Sequence, residues 1–147
     1  MTWPLHNQFQ AAIQVTGILV EELSPDESRA LRKRVSVIYS KETTSLFLWE
    51  YFSDCALITN VDAWRWISEY IGNKSCLLFF FEHLAPPVFQ LNNGFDAVAL
   101  VGELPMDEFY VTNTETSYLL CFSHHDILYA LGDAKTWLER KLSEIQR

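Results

Sequence analysis

The sequence predicts one α+β domain in which helices back an antiparallel sheet of about four to five strands. Segments with helical spacing of apolar residues and clear caps alternate with short apolar or alternating segments that are typical of strands. Hydrophobic residues make up 49% of the 147 residues and aromatic residues 14%, which suits a packed core and excludes a disordered chain. Because no linker, repeat or low-complexity tract interrupts residues 1–147, we expect a single domain.

The first two elements are predicted to be helices. Leu5, Phe9, Ala12 and Ile13 share one helical face, and Pro4 suits the first turn of that helix. The next stretch, SPDE at 24–27, has the form of a capping box with serine at the N-cap, proline at N1 and glutamate at N3. It predicts a helix over about 25–33 that ends at the basic RKR, since cations favour a helix C-terminus.

The period of the pattern then changes. In RVSVIYS, Val35, Val37 and Tyr39 alternate with other residues, and a polar KET turn precedes TSLFLWEYF. We expect two antiparallel strands here, about 34–40 and 44–52. The second is apolar on both faces, which predicts a central strand that is covered on both sides.

The middle of the chain predicts a helix, a strand and a shorter helix. Asn60 can cap the first helix, and Gly72 ends it. Its apolar stripe consists of Ala63, Trp66, Ile67, Tyr70 and Ile71. SCLLFFFEH at 75–83 is typical of a buried strand, and the prolines of APPV favour an extended connection after it. Residues 94–104 fit a short helix or a strand, and we favour the helix.

The last third predicts a hairpin and a terminal helix. EFYVTNTETSYLLCF predicts strands over about 108–112 and 117–122 around an Asn-Thr-Glu turn. DAKTWLERKLSEIQ predicts a helix with one mostly apolar face. That face consists of Ala134, Trp137, Leu138, Lys141, Leu142 and Ile145.

The stretch SHHDILYALG at 123–132 allows two interpretations. With Ser123 as N-cap and Asp126 at N3, it begins a short helix that ends at Gly132. Alternatively, His124 or His125 is a general base oriented by a carboxylate. Adjacent residues on a helix diverge by about 100°, so the two histidines are poorly placed to share a metal ion, and no third ligand is evident. We favour the helix cap.

The same stretch carries a resemblance. YLLCFSHHDILYALG, placed after a strand like EFYVT and before a terminal helix, resembles small uncharacterised bacterial domains. Some of these are encoded beside polymorphic or contact-dependent toxins and resemble immunity proteins. The likeness covers about the last quarter of the chain. It implies a protein that neutralises a toxin by binding it, and it implies no active-site residues.

Charge and composition limit the class of partner. The formal net charge of −8 disfavours nucleic acid and anionic lipid and favours a basic partner, although an acidic balance also serves solubility alone. The apolar runs are too short to span a bilayer, and the N-terminus has no secretory pattern, so we expect a cytoplasmic protein. The three cysteines lack zinc-ligand spacing, and we expect reduced thiols, no metal and no cofactor.

The first hypothesis is therefore a non-enzymatic immunity protein that neutralises a basic toxin, such as a nuclease, by direct binding. The expected partner-binding residues combine carboxylates with an aromatic anchor, as interface hot spots do, and they are Glu103, Asp107, Glu108, Glu115 and Trp64. The alternatives are a small hydrolase or transferase that uses His124 or His125 as general base, and a structural module that self-associates through an exposed aromatic face.

Overall fold

The computed structural model describes residues 6–40, 52, 54–80, 86–104 and 108–145. These residues form five helices and seven strands, together with a 3-10 turn at Ala63–Trp66. The helices are α1 (His6–Thr16), α2 (Pro25–Tyr39), α3 (Ile67–Ile71), α4 (Gly94–Gly102) and α5 (Ala134–Ile145). The strands are β1 (Val20–Glu22), β2 (Cys55–Thr59), β3 (Cys76–Phe79), β4 (Phe89–Leu91), β5 (Phe109–Thr112), β6 (Tyr118–Phe122) and β7 (Ile127–Gly132).

The strands form one antiparallel sheet in the order β1-β4-β3-β5-β6-β7-β2. The α+β class and the antiparallel sheet are thus confirmed, but the sheet has seven strands where about four to five were predicted. The centre of the sheet is the meander β5-β6-β7, in which Tyr110 lies opposite Cys121 and Cys121 lies opposite Tyr129. This register places the β6–β7 turn and the start of β5 at the same end of the sheet.

Both faces of the sheet are buried. One face packs against α1, α3, α4 and α5, and its core includes Phe9, Leu78, Leu120 and Leu138. The other face packs against α2. Because alternate residues of a strand point to opposite faces, the central strands are apolar at nearly every position, and β6 is buried along its whole length.

Helix α2 confirms one prediction and corrects another. Ser24 Oγ accepts the Glu27 N–H at 3.1 Å and Glu27 Oε1 accepts the Ser24 N–H at 3.0 Å, which is the predicted capping box. The predicted strand 34–40 is wrong, because the helix continues to Tyr39. Leu31, Val35 and Tyr39 lie four residues apart and are buried against the sheet, so the tertiary contact favours the helical period.

The predicted strand 44–52 lies outside the described residues, except for Phe52. That residue forms an isolated antiparallel bridge with Ser40, directly after α2.

The predicted helix over 123–132 is also wrong. Residues 123–126 form a turn, and Ile127–Gly132 is strand β7, which pairs with β6 and β2. Leu128 and Ala130 face one core while Tyr129 and Leu131 face the other, which is strand periodicity. A short apolar segment buried on both faces has no amphipathic signal that would separate a strand from a helix.

The other predicted elements are present, the first helix as α1, although its Pro4 and Leu5 lie outside the described residues. The hairpin forms as β5 and β6, residues 94–104 contain α4, and the buried strand forms as β3. The stripe before Gly72 begins as the 3-10 turn and continues as α3. The predicted cap at Asn60 is wrong, because the N-cap residue is Asp62, whose N–H donates to Asn60 Oδ1 at 2.8 Å. The terminal helix forms as α5. Among the described residues, no helix combines the length and apolar character needed to cross a membrane.

Candidate functional site

The β6–β7 turn is the local framework of the candidate site. The Ser123 N–H donates to Ile127 O at 2.9 Å, and the Asp126 N–H donates to Ser123 O at 3.0 Å. Asp126 has φ 60°, a left-handed conformation that aspartate tolerates better than most residues. Ser123 is buried, and its Oγ accepts the His125 N–H at 3.3 Å. The hydrogen-bonded turn therefore holds His124, His125 and Asp126 at the surface.

On one side of the turn, His124 contacts Glu108. The His124 Nδ1 lies 3.0 Å from Glu108 Oε1, and the His124 backbone N–H donates to the same oxygen at 3.4 Å. The Glu108 side chain is only 16% exposed and that of His124 is 34% exposed. The imidazole of His125 lies beside that of His124, with ring centroids 4.1 Å apart. With Nδ1 as the donor to Glu108, the Nε2 of His124 is left as an acceptor, which is the tautomer of a general base.

The residues beneath this pair are buried and unreactive. Tyr110 Oη lies 3.5 Å from Glu108 Oε2, and its ring is fully buried. Burial and then the Glu108 carboxylate raise the pKa of the neighbouring Cys121 thiol well above its usual value. Cys121 is therefore not a nucleophile for a base at this position, because thiolate is the reactive form.

On the other side of the turn lies a cavity of about 240 Å3, which we call the Gly102 groove. Its lining includes Val61, Trp64, Gly102, Phe109, Phe122 and Asp126. Phe109 and Phe122 stack with their ring centroids 6.1 Å apart. Gly102 keeps the groove open at the end of α4, because a Cβ there would lie 3.3 Å from the Trp64 ring. Among the described residues, the groove is lined by an apolar aromatic wall together with one carboxylate, that of Asp126.

A shallower cavity of about 430 Å3 lies beside the Gly102 groove, against α1. The two cavities share Gly102 and Leu104, and Glu103 lines the second one. Each cavity also has an exposed valine in its lining, Val61 in the first and Val15 in the second, and these are 63% and 74% exposed. Glu103 and Asp126 thus flank one continuous surface that is otherwise largely apolar.

The structure brings together only some of the residues expected to bind a partner. Trp64 lines the Gly102 groove and Glu103 lies next to it. Glu108 lies at the same end of the sheet, but its carboxylate is engaged by His124 and mostly buried. Glu115 lies in the β5–β6 turn, at the opposite end of the sheet. Asp107 lies outside the described residues.

The sequence did not predict that Asp126, Phe109 and Phe122 belong to this surface. The sequence pattern predicts that Asp126 lies in a helix cap, and it predicts only that Phe109 and Phe122 lie in strands. The predicted hairpin could have indicated that these residues meet, because the last residue of β6 lies directly opposite the first residue of β5. The side chains next to both positions must then meet at one edge of the sheet.

Within the described residues, no three His, Cys, Asp or Glu side chains lie close enough together to hold a metal ion. Comparisons of the chain with protein-family models, with curated proteins and with solved structures gave no match. The geometry at this end of the sheet is therefore the basis for assigning a function.

Proposed function

We propose that the protein is a binding protein that neutralises a basic protein toxin, as an immunity protein does, and that the Gly102 groove is its contact surface. The observation that carries this proposal is the aromatic wall of Trp64, Phe109 and Phe122 with Asp126 at its edge. The net charge of −8 adds long-range attraction for a basic partner.

The occupant that fits this chemistry is an arginine or lysine side chain of the partner. Its aliphatic stem would lie on the aromatic wall, and its cationic head would reach the Asp126 carboxylate. Trp64 already takes part in such a contact within the chain, since the Arg65 guanidinium lies 5.0 Å from its ring centroid. Arg65 does not line the groove, so it does not fill this position.

The test is co-expression with the product of the adjacent gene, followed by binding kinetics at two salt concentrations. We expect the association rate to fall as salt rises, because Debye screening weakens steering by Asp126, Glu103 and the rest of the acidic surface. Trp64→Ala should weaken binding at least about thirtyfold, the effect of losing a hot spot of about 2 kcal/mol, mainly through faster dissociation.

Two charge reversals distinguish a contribution of the Gly102 groove to binding from a contribution of the overall net charge. Asp126→Lys should slow association and weaken the complex. Glu115→Lys makes the same change in net charge at the opposite end of the sheet and should have a much smaller effect. Equal effects of the two reversals, or unchanged binding by a folded Trp64→Ala variant, would show that the partner does not use the groove.

The pairing of His124 with Glu108 favours a second candidate function, a small hydrolase or transferase with His124 as general base. A general base contributes roughly 100- to 10,000-fold to rate. If this function is correct, His124→Gln should lower turnover of chromogenic esters and phosphoesters by about that factor, while His125→Gln retains most of it. An absence of turnover by the wild-type protein, or equal turnover by both variants, would reject this candidate.

A further inference from the structure

A second, polar cavity lies at the opposite end of the sheet from the Gly102 groove. It has a volume of about 220 Å3, and its lining includes Tyr70, Lys74, Ser75, Ser117, Tyr118 and Asp133. It lies where the β5–β6 turn, the end of α3 and the start of α5 meet. We call it the Asp133 pocket. Its volume is below the roughly 300–1,000 Å3 of pockets for drug-sized molecules, so it suits a smaller one.

Among the described residues that line the pocket, Lys74 is the cation and Asp133 is the anion, and both residues are exposed. Within the described part of the chain, neither the Lys74 ammonium nor the Asp133 carboxylate forms an ion pair, although both line this cavity. By contrast, Lys135 and Lys141 of α5 are paired with Asp54 and Glu69. Two opposite charges that line one small cavity without pairing can be complemented by a ligand that carries both charges.

Each charge has supporting groups of the matching kind. On the side of Asp133, the rings of Tyr70 and Tyr118 pack edge to face with centroids 5.0 Å apart, and aromatic faces attract ammonium groups. Burial and then Asp133 raise the pKa of Tyr70, and burial raises the pKa of Tyr118, so both phenols stay neutral near pH 7.

Two serines also line the cavity, and Ser117 lies beside Asp133, whose N–H donates to Ser117 O at 2.9 Å. Ser117 Oγ accepts a hydrogen bond from Asn113 Nδ2 at 2.7 Å, and Asn113 Oδ1 accepts the Ser117 N–H at 2.9 Å. These two bonds fix the Ser117 side chain and leave its hydroxyl proton to donate. Ser75 adds a second hydroxyl to the lining. The Lys74 ammonium together with the hydroxyl of the adjacent Ser75 is a suitable environment for a carboxylate.

We propose that the Asp133 pocket binds a free α-amino acid, with its carboxylate at Lys74 and Ser75 and its ammonium at Asp133 and Tyr70. The Asp133 pocket is separate from the Gly102 groove, so this proposal does not depend on the proposed partner. A free amino acid is small enough for the pocket, and its ammonium and its carboxylate are both attached to one carbon atom.

The test is a titration of the isotope-labelled full chain with each of the twenty L-amino acids at millimolar concentration, followed by amide chemical shifts. At least one amino acid should shift the amides of Ser75, Ser117 and Asp133. Its N-acetyl and its amide derivatives, which each lack one charge, should bind about tenfold to a hundredfold more weakly, because each loses a charged hydrogen bond.

Two variants and two matched controls complete the test. Lys74→Met and Asp133→Asn should each weaken binding about tenfold to a hundredfold, and Asn retains the size of the Asp133 side chain. Lys33→Met and Asp62→Asn remove the same charges from exposed positions outside the pocket and should leave binding unchanged. The proposal is overturned if none of the twenty amino acids shifts these amides, or if binding survives both pocket variants or does not depend on both ligand charges.

Discussion

Substitution of Gly132 by alanine tests the junction between β7, α2 and the Asp133 pocket. Gly132 has φ 62°, in the left-handed region that disfavours residues with a side chain. A Cβ at this position would lie 2.5 Å from Ser117 O and 2.6 Å from the Tyr39 hydroxyl. Both are fixed oxygens, because Tyr39 Oη donates to Thr116 O at 2.6 Å and Ser117 O accepts the Asp133 N–H at 2.9 Å.

The expected loss can be worked out from these contacts. The left-handed conformation costs alanine roughly 1–2 kcal/mol. Displacing the two hydrogen bonds costs roughly 0.5–1.5 kcal/mol each, so Gly132→Ala should lower the free energy of unfolding by about 2–5 kcal/mol. Gly17 is the matched control, because it has φ 69° and nothing within 4 Å of its would-be Cβ. Gly17→Ala should therefore cost only the conformational part, roughly 1–2 kcal/mol.

The assay is urea unfolding followed by tryptophan fluorescence, with the slope compared among variants. Adding Tyr39→Phe to Gly132→Ala should cost less than the sum of the two single effects, because the phenylalanine lacks the hydroxyl that the new Cβ meets. Equal losses for Gly132→Ala and Gly17→Ala, or strict additivity with Tyr39→Phe, would refute the packing described for this junction.

Two further predictions concern reactivity and pH. A thiol reagent should label native Cys55 first, since it is half-buried, whereas Cys76 and Cys121 should react only as fast as the protein opens; burial raises the pKa of Cys76 to about 12. Rapid labelling of all three would contradict this. The N–H and hydroxyl of Ser24 hold the pKa of Glu27 below its usual value of 4.5. Its stabilisation is thus present above that value and lost as pH falls through the lowered pKa, so Glu27→Gln should destabilise the protein at neutral pH but not in strong acid; a gap that persists in acid would contradict the linkage.

The capping box shows how far local chemistry predicts structure. Ser24, Pro25 and Glu27 satisfy each other over four residues, so their geometry does not depend on the rest of the fold. The β5–β6 hairpin was predictable for a similar reason, because its polar turn separates two apolar strands. Trp64 and Glu103, both predicted to bind a partner, line adjoining cavities that share Gly102, which the sequence did not indicate.

The pattern of a serine with an acid three residues later illustrates the limit of such motifs. In Ser24–Glu27 this pattern caps a helix, whereas in Ser123–Asp126 it closes a turn between two strands. Both use the serine oxygen as an acceptor for a nearby backbone N–H. The two outcomes differ because of the next segment of the chain. Ile127–Gly132 has a strand on each side, whereas α2 packs on one face of the sheet.

The α+β class, the helix cap at Ser24 and the apolar character of the buried segments could all be read from the amino-acid sequence. Tertiary contacts were needed to assign Val35 to a helix and Leu128 to a strand, and to show which charges share a cavity. The apolar residues of both segments are compatible with a helix or a strand. Which of the two forms depends on the neighbouring element that removes each apolar side chain from water. Tertiary structure also decides the contact between His124 and Glu108, which are 16 residues apart in the chain and meet only because β5 pairs with β6.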